Sequence, residues 1–267
     1  LAGSIAWCLY KSVEALVLNS SDARASAARW VPVYMWMVGF MISMVTMLKG
    51  LKHVGVNIDL GTGSAFIDSA LLAALIGLLV ATGGGVFVRR QLANNANLGI
   101  EGIFGILMIF TACGMAFAHG SNDVANAIGP VAAVVQTVQD GGAIAAKSGM
   151  PWWVLLIGGA GIVLGLATYG WRVIGTIGSK ITELTPSRGF AAELGAAGTV
   201  VIASGTGLPI STTHTLVGAV LGVGLARGTA VVDFEVVKQI VGSWLVTLPI
   251  AAVLSISFYF LLNALLV

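Results

Sequence analysis

Seven intervals of this sequence, 30–48, 69–88, 102–122, 124–139, 148–171, 194–226 and 239–267, contain no Asp, Glu, Lys or Arg. A helix that crosses a bilayer needs about 20 predominantly apolar residues, and six of the seven intervals hold 19 or more. Charge is sparse throughout: 9% of the 267 residues are ionic, against about a quarter in a soluble domain. Mean hydropathy is +0.97. These values exclude a water-soluble enzyme and a disordered chain. A net charge of +2 is too small for a phosphate-backbone footprint, which excludes a nucleic-acid binder despite a pI of 8.7. The intervals are apolar on all sides and lack the ten-residue alternation of an outer-membrane barrel. The expected fold is all-α, a polytopic transmembrane helix bundle.

The polar segments organise the chain. Residues 1–18 are apolar apart from Lys11 and Glu14, and 19–30 carry Asp22, Arg24 and Arg29 in a polar linker. Further loops are expected at 49–65, 89–99, 139–152, 170–189 and 227–238. If 31–48 and 66–88 each cross once, Arg24, Arg29, Arg89 and Arg90 share one side, and Lys49 and Lys52 lie on the other. The positive-inside rule then places 19–30 and 89–99 in the cytoplasm. Loop 170–189, with Arg172, Lys180 and Arg188, falls on that same side, which requires an even number of crossings between 100 and 169. Cys8 and Cys113 lie singly in apolar runs and read as packing residues.

Two polar segments interrupt otherwise apolar intervals. The first runs from His119 through Gly120, Ser121, Asn122, Asp123 and Asn126 to Pro130. A charged side chain at the bilayer centre costs about 2.5–3.5 kcal/mol on insertion scales, so Asp123 needs a reason to be there. At helical spacing Asn122, Asp123 and Asn126 form one carboxamide–carboxylate face, suited to a hard cation or, on the carboxylate, a proton. Gly120 is placed to break the helix, with Ser121 capping a new one. The second segment is Ser204-Gly205-Thr206-Gly207-Leu208-Pro209-Ile210-Ser211-Thr212-Thr213-His214-Thr215. Its 33-residue interval is long enough for two half-helices meeting in the middle, with Gly205 and Gly207 permitting the unwinding and Pro209 opening the second helix. Hydroxyls then crowd a helix N-terminus, where free N–H groups and the helix dipole attract an anion. Broken helices whose N-termini face an anion, with a coupling ion nearby, are the pattern of secondary-transporter sites.

Other small-residue features read structurally. Gly161/Gly165 and Gly218/Gly222 are small-xxx-small pairs for close helix approach. Gly83-Gly84-Gly85 marks a kink or close packing, and Gly61-Thr62-Gly63 lacks the preceding strand of a nucleotide turn. Trp152, Trp153, Tyr169 and Trp171 sit at segment edges as interface anchors.

In these two segments the sequence resembles the inorganic phosphate transporter (PiT) family. Its signatures correspond to Gly120-Ser121-Asn122-Asp123-Val124-Ala125-Asn126-Ala127 and Pro209-Ile210-Ser211-Thr212-Thr213-His214. The resemblance is visible from about residue 100 to the C-terminus and includes Gly170-Trp171-Arg172. Family members carry two inverted halves, each with one copy of both motifs, and this chain has one copy of each. The resemblance therefore implies one half of an inverted-repeat transporter, the C-terminal half. Residues 1–18 would be the last helix of a missing N-terminal half, 19–30 the linker, and 31–267 the C-terminal membrane repeat. It implies symport of inorganic phosphate with Na+ or H+ in a multi-pass protein of the bacterial inner membrane, with lipid and the other half as partners, a homodimer as a further option, and no cofactor. Phosphate would be held by Ser121, Ser211, Thr212, Thr213 and His214, with His214 less directly engaged. The cation would be held by Asn122, Asp123 and Asn126. Sulfate or another tetrahedral oxyanion is the alternative substrate. The alternative of another class is an intramembrane hydrolase built on Ser211 or Ser204 with His214. Phosphate beside an ionised Asp123 would be repelled, so anion binding should be linked to cation or proton binding.

Overall fold

The computed structural model describes residues 1–51, 59–95, 98–143, 151–206, 208 and 210–266, leaving out the side chains of 49–51, 125, 204 and 266. Lys52, Gly207 and Pro209 therefore lie outside the described residues. The described residues form helices and connecting turns with no strand. In chain order the α-helices are α1 (Ala2–Val13), α2 (Ala23–Val45), α3 (Ala65–Asn94), α4 (Ile100–Gln139), α5 (Trp152–Gly165), α6 (Trp171–Gly175), α7 (Pro186–Thr206), α8 (Thr212–Arg227) and α9 (Phe234–Leu266). Five segments are long and apolar enough to cross a membrane: Ala23–Leu48, Ala65–Asn94, Ile100–Gln139, Trp152–Lys180 and Phe234–Leu265.

Helix α2 starts at Ala23 because Asp22 caps it, accepting the Ala25 N–H at 3.0 Å. The expected linker 19–30 thus shortens to a turn, and most of it is helical. The Arg24 guanidinium reaches the end of α3 and donates to the carbonyls of Leu92 (3.2 Å) and Asn95 (2.6 Å). Such a cation satisfies helix C-terminal carbonyls and opposes their partial charge. It also puts Arg24 and the end of α3 at one end of the bundle, as single crossings by 31–48 and 66–88 require. At the same end of α4, Glu101 accepts from the backbone N–H and the hydroxyl of Ser187 (2.9 and 2.7 Å). The starts of α4 and α7 therefore lie together, so the chain between them makes a return trip. The segment 152–180 supplies the second leg, one helical run interrupted by two π-turns, Leu166–Gly170 and Thr176–Lys180.

The core lies where α2, α4 and α7 meet. Tyr34, Phe104 and Phe190 form an aromatic trio with ring centroids 5.6–6.2 Å apart. Tyr34 also hydrogen-bonds Ser12 of α1 across 3.0 Å. Behind it α1 packs on both α7 and α8. This contact needs glycine: a Cβ on Gly3 would lie 2.8 Å from the Gly218 carbonyl oxygen, and one on Gly222 would overlap the Gly3 backbone. Gly222 is thus a close-approach residue, whereas Gly218 meets α1 only through its carbonyl and an added Cβ there would have open space. The Gly161/Gly165 pair is not a close-approach surface, because an added Cβ at either meets nothing within 4 Å. Gly222→Ala should cost about 1–3 kcal/mol as an overpacked contact, while Gly161→Ala should leave stability near wild type. Thermal unfolding of both variants in one detergent checks the contrast.

Helix α3 continues through Gly83-Gly84-Gly85. Gly84 and Gly85 admit Met35 and Pro32 of α2 against the helix. Gly61 and Gly63 take positive φ in the turn before α3, where Thr62 donates its hydroxyl to the buried Asp68 at 2.7 Å. That turn is a structural entry to α3.

Outside the core, α9 packs through Val236, Val237, Ile240 and Trp244 near its start and is exposed beyond them. Trp152 is exposed at the start of 152–180, while Tyr169 and Trp171 are exposed well within it, with the Arg172 guanidinium over the Tyr169 and Trp171 rings at 5.4 and 5.1 Å. The segment edge expected at 169–171 is therefore not there, since the helical run continues to Lys180.

Candidate functional site

The interval 194–226 is broken in its middle, as its length and glycines suggest. Helix α7 ends at Thr206 and α8 begins at Thr212, with Ser211 as its N-cap. The Ser211 hydroxyl oxygen accepts the His214 N–H at 3.3 Å, and the Ser211 carbonyl accepts the Thr215 hydroxyl at 2.8 Å. A break of this kind strands backbone carbonyls inside a bundle, where each needs a donor.

One such donor comes from the other polar segment. Asn122 Nδ2 donates to the Ile210 carbonyl at 3.1 Å and lies 3.3 Å from Asp123 Oδ1. One residue on, the Thr212 hydroxyl donates to Asp123 Oδ1 at 2.8 Å. Asn122 and Thr212 are 8% and 1% exposed, so the two motifs meet inside the protein although 89 residues separate Asp123 from Thr212. The second carboxylate oxygen is taken as well: His119 Nε2 lies 2.6 Å from Asp123 Oδ2, one turn earlier on α4. Asp123 therefore sits at the N-terminus of α8 with each oxygen engaged, a place where the helix dipole favours negative charge.

The helix carrying Asp123 runs unbroken. Gly120 does not interrupt α4, and Ser121 back-bonds to the Ala118 carbonyl at 3.0 Å instead of capping a new helix. Glycine within a helix costs only about 1 kcal/mol relative to alanine, and packing of α4 against α7, α5 and α2 exceeds that. At 40 residues α4 would be about 60 Å long, and its polar turns fall near the middle.

A cavity of about 570 Å³ opens beside this cluster. His119, Thr212, Thr213 and Glu193 line it, with Met108, Leu166, Tyr169 and Ile174 among its apolar walls. Thr213 is exposed towards it. No Lys or Arg lines it among the described residues, so an anion there would meet hydroxyls, N–H groups and any cation that entered with it.

Not every expected site residue joins the cluster. Asn126 is exposed, and among the described residues no hydrogen bond joins its side chain to the cluster. The His214 ring lies over Trp244 of α9, centroids 3.8 Å apart, so Ser211 meets the His214 backbone and not its imidazole. Two cavity residues were not assigned to the site from sequence. His119 is four residues from Asp123, the spacing that brings helix side chains together. Glu193, on α7, accepts a hydrogen bond from Thr111 of α4 at 2.6 Å. It bounds a charge-free interval in the sequence, which hid its place in the bundle; Asp123 is not the sole acid facing the interior.

A family model described as the phosphate transporter family matches residues 1–255. The chain belongs to the phosphate transporter family. The match extends through residues 1–99, beyond the part where the motifs alone carry the likeness. A protein of Haemophilus influenzae named as a phosphate permease is 46% identical over 267 residues, covering 98% of this chain and 62% of that protein. The chloroplastic inorganic phosphate transporter 2-1 of Arabidopsis thaliana is 41% identical over 273 residues, covering 96% of this chain and 46% of that protein. Among solved structures, one described as the sodium-dependent phosphate transporter superposes with a TM-score of 0.82 at 36% identity, covering 99% of this chain and 64% of that one. The chain thus spans under two thirds of the length of these relatives. The family is one of transporters and not of enzymes, so the hydrolase alternative falls.

Proposed function

We propose that this chain forms the anion and cation site of a Na+-coupled transporter of inorganic phosphate. The observation that carries this reading is the Thr212–Asp123 hydrogen bond at 2.8 Å, which ties the hydroxyl-bearing helix N-terminus to the carboxylate. Family membership supports phosphate, and the sodium dependence of the solved relative supports Na+.

In this proposal Asp123 and the Asn122 carboxamide oxygen bind the cation, with Thr212 adding its hydroxyl oxygen. Thr212 spends its proton on Asp123 in the structure. A cation on Asp123 would turn that hydroxyl: its oxygen would face the cation and its proton would become free for phosphate. Ser211 accepts a bond at its oxygen, so its own hydroxyl proton is already available to an anion, as is that of Thr213 on the cavity wall. The N–H groups of the first turn of α8 complete the anion cradle. Lipid would cover the exposed apolar flanks of α3, α5 and α9.

Uptake of labelled phosphate into vesicles carrying the chain together with the other half expected of it, with Na+ and pH varied independently, tests this reading. Uptake should rise with Na+ at fixed pH, and excess sulfate should compete weakly, because sulfate lacks the proton that a buried acceptor group can receive. Uptake that follows the proton gradient and ignores Na+, or that sulfate suppresses as well as phosphate does, would contradict it.

A further inference from the structure

A lone cation stands inside the apolar run 152–180. Arg172 lies eight residues before Lys180 and is the one ionic residue between Trp152 and Ser179. A charge within a membrane segment is costly, and such residues mark a ligand path or face a named partner. Among the described residues no carboxylate pairs with Arg172 and no acceptor takes its N–H groups. Its guanidinium lies over the rings of Tyr169 and Trp171 at 5.4 and 5.1 Å. Stacking on an aromatic face leaves the positive charge in place, and the N–H edge stays open to an anion.

Tyr169 is also a wall of the 570 Å³ cavity, with Leu166 and Gly170 before Arg172 and Val173 and Ile174 after it. Arg172 directly follows the π-turn Leu166–Gly170, a form of helix often found at functional sites. The cavity wall itself carries Glu193, and Asp123 stands behind His119 and Thr212. Two acids and no lining Lys or Arg make a poor reception for an anion; a cation at the rim offsets their field. Guanidinium suits the task because its planar fork matches two oxygens of a phosphate group.

We infer that Arg172 is a phosphate-binding residue of this cavity. Its guanidinium turns past the Tyr169 ring, pairs with the anion and passes it to the hydroxyls of Thr212 and Thr213 on the α8 side. This rests on the reading of the cavity as the phosphate path given above. A phospholipid headgroup carries the same chemistry, so the test includes both sources.

Equilibrium binding of labelled inorganic phosphate to the purified chain, in lipid-free detergent at saturating Na+, is the first readout. Arg172→Gln should weaken Kd about tenfold, the low end for a hydrogen bond to a charged group. Arg172→Lys keeps the charge without the fork and should lose about threefold. Phenylglyoxal, which modifies arginine, probes the wild type without substitution. Phosphate at about five times its Kd should slow modification of Arg172 about sixfold, since only unoccupied protein reacts. The exposed Arg89 and Arg90 should react as before, as read by mass spectrometry. An Arg172→Gln Kd within about twofold of wild type overturns the inference. So does equal modification with and without phosphate, or protection by phosphatidylglycerol and not by inorganic phosphate. Each of these leaves Na+-dependent binding by the wild type standing. If the wild type binds no phosphate, the reading of the cavity fails, and the inference with it.

Discussion

Asp123→Asn should abolish cation-driven phosphate uptake, reducing it to the level of vesicles without protein. The substitution keeps the volume and leaves an acceptor oxygen for Thr212, so the fold should survive. What it removes is the charge. Phosphate carries one to two negative charges near neutral pH, its second pKa being about 6–7 as for phosphate esters. Beside an ionised Asp123 at about 4–6 Å it would be repelled by roughly 3–4 kcal/mol at an effective dielectric near 20, a penalty of several-hundred-fold in affinity. A cation on the carboxylate reverses that sign. Without the carboxylate the repulsion is gone, but so is the reason for the anion to wait for the cation. Initial uptake rates measured with and without a Na+ gradient check this. A variant that retained normal Na+ dependence would defeat the coupling scheme.

The second large effect is expected at Thr212. Its side chain is 1% exposed and its hydroxyl is the one group that touches Asp123 from α8 among the described residues. Thr212→Val is nearly isosteric and removes only the hydroxyl, leaving Asp123 Oδ1 with the longer contact from Asn122. Losing a hydrogen bond to a charged group typically costs about 1.5–3 kcal/mol, which predicts a phosphate affinity weakened roughly 10- to 150-fold. Thr212→Ser retains the hydroxyl and should recover most of it. Equilibrium binding of labelled phosphate to the three proteins at saturating Na+ decides the matter. Equal affinity in Thr212→Val and wild type would show that the hydroxyl is only structural.

What the sequence revealed and what it hid have physical reasons. Spans were legible because lipid imposes a minimum apolar length, and that length appears directly as charge-free intervals. The break between α7 and α8 was legible because Gly205, Gly207 and Pro209 fall within five residues at the centre of a 33-residue interval, and together they disfavour continuing the helix there. Continuity of α4 through Gly120 was not legible, since a glycine's local cost is about 1 kcal/mol and tertiary packing sets the outcome. Two glycine pairs with the same spacing diverged for the same reason: Gly222 faces the Gly3 backbone of α1, and Gly161 and Gly165 face open space. Glu193 could not be placed because its partner Thr111 is 82 residues away. His119 could have been found, because its four-residue spacing from Asp123 is a helical contact that sequence alone defines.

In the proposed scheme these effects share one origin: the acid and the oxyanion site meet at the α7–α8 break, so one ligand's charge sets the other's affinity. Isothermal titration of the purified chain with phosphate at stepped Na+ concentrations and constant ionic strength reads that relation directly. Phosphate Kd should fall steeply as Na+ rises in the wild type, and the Na+ midpoint should fall by the same factor when phosphate is present. In Asp123→Asn both dependences should vanish. A phosphate Kd that stays constant across the Na+ series in the wild type would contradict the account.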